Sequence, residues 1–167
     1  MKRKWTFVLG LALLGIFAFS YQNATTIYAK KGSMADQKAV QEAIEDYVFG
    51  LYKADTTRIM RSVHPELRKR GFWYNKEKAA YTPYREMSYR ELVDLSARWN
   101  VKGDRVDENT PRDIEIYEVQ DKTAVAKLTA MWGTDYFHLG KIDGKWMIMN
   151  VIWQSPTPGT EDTSKSR

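Results

Sequence analysis

Residues 132–153 read Trp132-Gly133-Thr134-Asp135-Tyr136-Phe137-His138-Leu139-Gly140-Lys141-Ile142-Asp143-Gly144-Lys145-Trp146-Met147-Ile148-Met149-Asn150-Val151-Ile152-Trp153. Two apolar, aromatic-rich segments meet at Asp143-Gly144, the dipeptide that best suits a two-residue hairpin turn. Both faces of this hairpin carry large apolar side chains. Each face therefore needs a cover, helices on one side and a second sheet on the other. A two-residue loop pairs Ile142 with Lys145, and by extension Phe137 with Asn150, His138 with Met149 and Asp135 with Ile152. Side chains alternate along a strand. One face then carries Asp135, Phe137, Leu139, Trp146, Ile148, Asn150 and Ile152. The other carries Tyr136, His138, Met147, Met149, Val151 and Trp153. The preceding segment adds Ala126, Leu128, Ala130 and Trp132, an apolar row assigned to the Asp135 face beneath the helices.

Upstream, the pattern changes from period two to period 3.6. Val40, Ile44, Tyr47 and Leu51 repeat at helical spacing between Gln37 and Tyr52, with Ser33 or Asp36 as cap. A short helix follows the Asp55 cap through Ile59, Met60 and Val63, ending at His64 because a residue before proline is pushed out of helical geometry. A third opens with the capping box Ser88-Tyr89-Arg90-Glu91 and continues through Leu92, Leu95 and Trp99. Asn75 to Met87 forms a polar loop. Leu67 to Tyr74 is a further strand, and Ile114 and Ile116 alternate with Glu115 and Tyr117 before a turn at Gln120-Asp121. Helices first and a meander afterwards give an α+β domain over residues 36–153. The Pro-, Ser- and Thr-rich residues 155–167 are expected to be disordered.

The first residues supply an address. Met1-Lys2-Arg3-Lys4 precedes an uncharged apolar run from Trp5 to Phe19, the pattern of a secretory signal peptide. The run is shorter than the roughly 20 residues of a membrane span. Cleavage after Ser20 or Ala29 gives an exported chain, periplasmic or extracellular, with no stable membrane span; an uncleaved anchor is the alternative. With no cysteine, the core itself must supply the stability. The leader holds three of the 26 basic residues and none of the 21 acidic ones, so the +5 of the whole chain falls to about +2. That balance argues against nucleic acid as a partner. Arg68-Lys69-Arg70 reads as a solvated strand edge.

The parity of the hairpin also bears on chemistry. Asp135 and His138 point to opposite faces, which rules against a dyad between them. Asp135 and Asn150 share the apolar face, where a buried carboxylate is either hydrogen-bonded structure or a group with a raised pKa. The two histidines, His64 and His138, lie on different elements and no short-spaced ligand motif exists, so no metal site is expected. No cofactor is indicated, and with no cysteine and no serine in a glycine elbow there is no nucleophile.

The order of elements resembles the nuclear transport factor 2-like superfamily of cone-shaped α+β domains, in which three N-terminal helices pack on a curved, mostly antiparallel sheet. The similarity is carried by Tyr47-Val48-Phe49-Gly50-Leu51-Tyr52 and by Val63-His64-Pro65-Glu66-Leu67-Arg68-Lys69-Arg70-Gly71. Asp135 to Lys141, Gly144-Lys145-Trp146 and Asn150 to Trp153 extend it. Within the superfamily the chain looks most similar to the putative lumazine-binding (SnoaL-like) family. The resemblance implies a pocket enclosed by helices and concave sheet, here Tyr47, His64, Trp73, Trp132, Asp135, Phe137 and Asn150. It also implies a homodimer through the opposite face, here Tyr136, His138, Met147, Met149, Val151 and Trp153.

Three functions fit these expectations. The first is a small-molecule-binding module whose aromatic cone takes a flat, mostly apolar ligand. The second is an isomerase, cyclase or dehydratase using Asp135 as general base, with Asn150, Tyr47 or His64 as donor. The third is a non-catalytic interaction or dimerisation module with a filled cone.

Overall fold

The computed structural model describes residues 32–159, so the expected leader and the end of the tail lie outside the described residues. Three helices come early: α1 (Met34–Tyr52), α2 (Thr56–Ser62) and α3 (Tyr89–Trp99). Ser33 caps α1 by accepting the Asp36 N–H, Asp55 caps α2 through Thr57, and Ser88 with Glu91 forms the expected capping box on α3. The main sheet has six strands in the order β4-β1-β8-β7-β6-β5. They are β1 (Val63–Phe72), β4 (Arg85–Met87), β5 (Arg112–Val119), β6 (Thr123–Ala130), β7 (Gly133–Ile142) and β8 (Lys145–Gln154). All neighbouring pairs are antiparallel except β1 with β8. The loop expected between 75 and 87 contains β4 and a second small hairpin, β2 (Tyr74–Asn75) with β3 (Ala80–Tyr81).

α2 ends at Ser62, two residues short of His64, and β1 begins at once, earlier than the expected Leu67. Pro65 cannot donate to a ladder, and the pairing of β1 with β8 is interrupted between Val63 and Arg68. Beyond that break Leu67, Lys69 and Gly71 are buried on the helix side. Lys69 therefore departs from the solvated-edge expectation.

The hairpin turns where expected: Asp143 and Gly144 both have positive φ (49° and 81°), and Ile142 pairs with Lys145. Its register differs further out. Leu139 pairs with Ile148 but His138 pairs with Asn150, so Met149 is an extra residue in β8. From there every pair shifts by one: Phe137 faces Val151 and Asp135 faces Trp153. Val151 and Trp153 thereby turn to the helix side, while Asn150 and Ile152 turn away.

α1 lies on this inner face. Val40, Ile44, Tyr47, Val48 and Leu51 bury against Ala126, Leu128, Phe137, Leu139, Ile148 and Val151. The outer face carries no second sheet among the described residues, contrary to the expectation of a cover on both sides. Tyr117, Tyr136 and Ile152 are about half exposed there. At the far end, Ser155 is buried and bonded to both Phe72 and Tyr74, so the ordered domain extends past Trp153 into the expected tail.

Candidate functional site

Between α1, α3, the inner face of β1 and β8, and the turn from β6 to β7 that carries Trp132 lies an open-mouthed cavity of about 170 Å³. Its depth is defined by Tyr47 from α1 and Lys69 from β1; Trp99, Trp132 and Trp153 form the walls, and Trp73, Met87 and Leu95 the rim. The indoles are held by one another. Trp132 meets Trp99, Tyr52 and Tyr47 edge-to-face, with centroids 5.5, 5.5 and 6.3 Å apart, and Tyr52 stacks on Trp99 at 5.7 Å. Tyr52 is anchored in turn, donating to the Pro111 carbonyl (2.6 Å) and accepting the Met131 N–H (2.9 Å).

A buried ion pair stands at the base of the cavity. The Lys69 ammonium donates to Asp135 Oδ1 and to Tyr47 Oη, each at 2.7 Å. Asp135 Oδ2 accepts the Trp132 indole N–H at 2.5 Å. The ammonium also lies 5.4 Å from the Tyr47 ring centroid and 5.5 Å from that of Trp153. Asp135 is fully buried and Lys69 only 6% exposed. Such a pair is tolerated because each charge compensates the other's desolvation. Burial, then the neighbouring Asp135 charge and the hydrogen bond to it, holds the Tyr47 phenol well above its ordinary pKa of 10.0.

The structure brings together four of the residues expected from the sequence. Tyr47 and Trp132 line the cavity, Trp73 sits half exposed at its rim, and Phe137 packs edge-on beneath Tyr47 at 5.1 Å. Two others lie elsewhere. His64 is at the start of β1, away from the cavity lining, where its Nδ1 accepts the Glu66 N–H. Asn150 is on the outer face, its Nδ2 3.3 Å from His138 Nδ1, because the Met149 bulge reverses the parity of β8. For the same reason Trp153 belongs to the cavity and Val151 to the core, neither to the outer face. Asp135 is on the inner side as expected, yet it lies behind Lys69 and off the cavity wall, with both oxygens engaged.

Lys69 is the residue that sequence reasoning missed. The signal was present: Leu67, Lys69 and Gly71 occupy alternate positions, and an apolar neighbour and a glycine mark an inward row. Gly71 is needed there, since any Cβ would lie 2.1 Å from the Trp153 indole nitrogen.

Residues 35–154 match the family model described as "Putative lumazine-binding". No curated protein matches the chain significantly. Among solved structures, a nuclear transport factor 2-like protein of unknown function from Methylobacillus flagellatus KT has a TM-score of 0.55 at 23% identity, over 75% of this chain and 96% of that one. Another from Silicibacter pomeroyi DSS-3 has a TM-score of 0.54 at 17% identity, over 75% of this chain and all of the other. A third, from Shewanella baltica OS155, has a TM-score of 0.51 at 19% identity, over 75% and 98%. These likenesses establish the fold.

Two outcomes test the ion pair. Lys69→Met alone strands a buried carboxylate and should cost about 3–5 kcal/mol in denaturant unfolding. Lys69→Met combined with Asp135→Asn should cost less than the sum of the two single changes, a coupling that a double-mutant cycle measures. The second outcome concerns alkali. Tyr47 keeps its proton in the fold to higher pH than in the unfolded chain, so folding binds the extra proton. Its contribution is complete below pH 10 and declines as pH rises beyond it, by up to about 1.4 kcal/mol per pH unit. Tyr47→Phe should flatten that decline in unfolding curves taken between about pH 9 and 11.

Proposed function

We propose, for a chain that belongs to the putative lumazine-binding family and has the nuclear transport factor 2-like fold, that it is an exported protein that binds a small, flat, mostly apolar molecule in the aromatic cone. The observation that carries this reading is the cavity itself. Three indoles and a phenol surround an unfilled space with one charged group at its base. A merely structural core would be expected to close over such a space, since interiors pack to the density of organic crystals. Concave, largely aromatic sites with a few fixed polar groups are the usual form of small-molecule sites.

The general-base reading is the weaker one. A base must reach the proton it removes. Asp135 has no exposure, and its oxygens are held by Lys69 and Trp132. Its place behind the ammonium suits an anchor that fixes Lys69.

Export rests on the Met1–Phe19 pattern. Protein recovered from the exported fraction of its native cells is expected to begin after Ser20 or Ala29. On denaturation it should release a stoichiometric small molecule detectable by mass spectrometry. Recovery without any released compound, and no thermal stabilisation by any member of an aromatic fragment library, would count against the binding reading.

Homodimerisation through the outer face is part of the same proposal. Tyr136, Met147, Met149 and Ile152, with Tyr117 and Val125 beside them, form an apolar surface of the kind that soluble proteins cover by association. Light scattering at micromolar concentration should give twice the chain mass, and Ile152→Arg should halve it. A monomeric mass for the unmodified protein would refute the dimer.

A further inference from the structure

Lys69 offers more than a structural charge. An ammonium carries three N–H donors and no acceptor. Two are spent on Asp135 Oδ1 and Tyr47 Oη. The third has no protein acceptor among the described residues, and the side chain forms part of the cavity wall. The rest of the wall is indole, phenol and aliphatic. The Trp132 N–H is taken by Asp135, and the Tyr47 oxygen already accepts from Lys69. The lining therefore presents N–H donors, the Lys69 ammonium with the indoles of Trp99 and Trp153, against a single side-chain oxygen, that of Tyr47.

We propose that the ligand is a neutral, single-ring compound bearing a carbonyl oxygen, which takes the third N–H of Lys69 while its ring lies among Trp99, Trp132 and Trp153. This deepens the small-molecule reading above and rests on it. Charge, hydrogen bonding and size select the class. A cationic ligand would meet the Lys69 ammonium in a low-dielectric space, where like charges repel strongly. An anionic ligand would place a second carboxylate beside Asp135, with one ammonium to share between them. The Lys69–Asp135 pair is already neutral, so a neutral acceptor leaves no buried charge uncompensated. A ligand whose edge must donate hydrogen bonds would leave those donors unpaired, at a cost of about 1–3 kcal/mol each. Size points the same way. An apolar cavity of about 150 Å³ in another protein holds benzene, and this one is about 170 Å³. One ring with a short substituent matches that volume, with the mouth left open. A fused bicycle with donors on both edges would leave those donors unpaired against this wall.

The test uses the full exported protein and three probes of matched shape: acetophenone, isopropylbenzene and benzoate. Binding is read from the indole N–H signals of Trp99, Trp132 and Trp153 in two-dimensional NMR. Acetophenone should shift these signals and bind at least about tenfold more tightly than either isopropylbenzene or benzoate. In the charge-neutral variant Lys69→Met with Asp135→Asn, acetophenone should lose that advantage while isopropylbenzene still binds. The comparison in the unmodified protein decides the matter even if the variant fails to fold. Isopropylbenzene or benzoate binding as tightly as acetophenone would overturn the role of Lys69 and leave the binding module standing. Failure of all three probes to perturb any indole signal would overturn both.

Discussion

A single extra residue in β8 decides what the cone contains. Because side chains alternate along a strand, Met149 exchanges the two faces of everything that follows it. Without the bulge, Asn150 and Ile152 would point inward, and Val151 and Trp153 would point out. With it, Val151 joins the core and Trp153 reaches across Gly71 to the cavity. The bulge and the glycine are complementary: the first supplies the indole, the second the room it occupies. β-Bulges frequently re-aim a side chain beside a site in this way.

The ion pair beneath the cavity follows from the same geometry. Lys69 leaves β1 and Asp135 leaves β7, with β8 between them in the sheet. Their side chains meet on the inner face above the Val151 and Trp153 positions of the intervening strand. Two groups that would each be costly to bury alone become tolerable together, with Trp132 donating to the carboxylate and Tyr47 accepting from the ammonium. A second charged cluster works at the other end of α1. Asp36 accepts from Lys141 and Trp146 at 2.5 and 2.8 Å, fastening the start of the helix to the hairpin. Those bonds and the Ser33 contact hold its carboxyl well below the usual carboxylate range. One end of the helix is thus pinned to the sheet, while the other places Tyr47 and Leu51 in the cavity lining.

The scaffold hosts many unrelated activities, so its name carries little chemistry. What this chain contributes is a donor-bearing base, aromatic walls and a rim of Trp73, Met87 and Leu95. A carboxylate locked behind an ammonium orients; it does not readily abstract protons.

Local chemistry made much of this legible in the sequence. The helical period of Val40 to Leu51, the Ser88–Glu91 capping box and the Asp143-Gly144 turn each depend on residues within a few positions of one another, and each is found in the structure. The same reasoning placed Tyr47, Trp132 and Phe137 on the inner side and kept Asp135 and His138 apart. Three things required the assembled fold. The bulge at Met149 leaves no mark in composition, because Met-Asn-Val-Ile-Trp fits either register; only the helices packed on one face choose it. The burial of Lys69 depends on Asp135, 66 residues away, and a lysine between two arginines gives no local sign of such a partner. The start of β1 before Pro65 depends on β8 lying alongside. Sequence alone determined the three helices, the long strands of the second half and the hairpin turn, since those preferences are written into neighbouring residues, whereas the short strands β2, β3 and β4 arise inside a stretch it marked as loop. The tertiary structure decided which side chains enter the cavity, since facing and burial are set by contacts between distant strands.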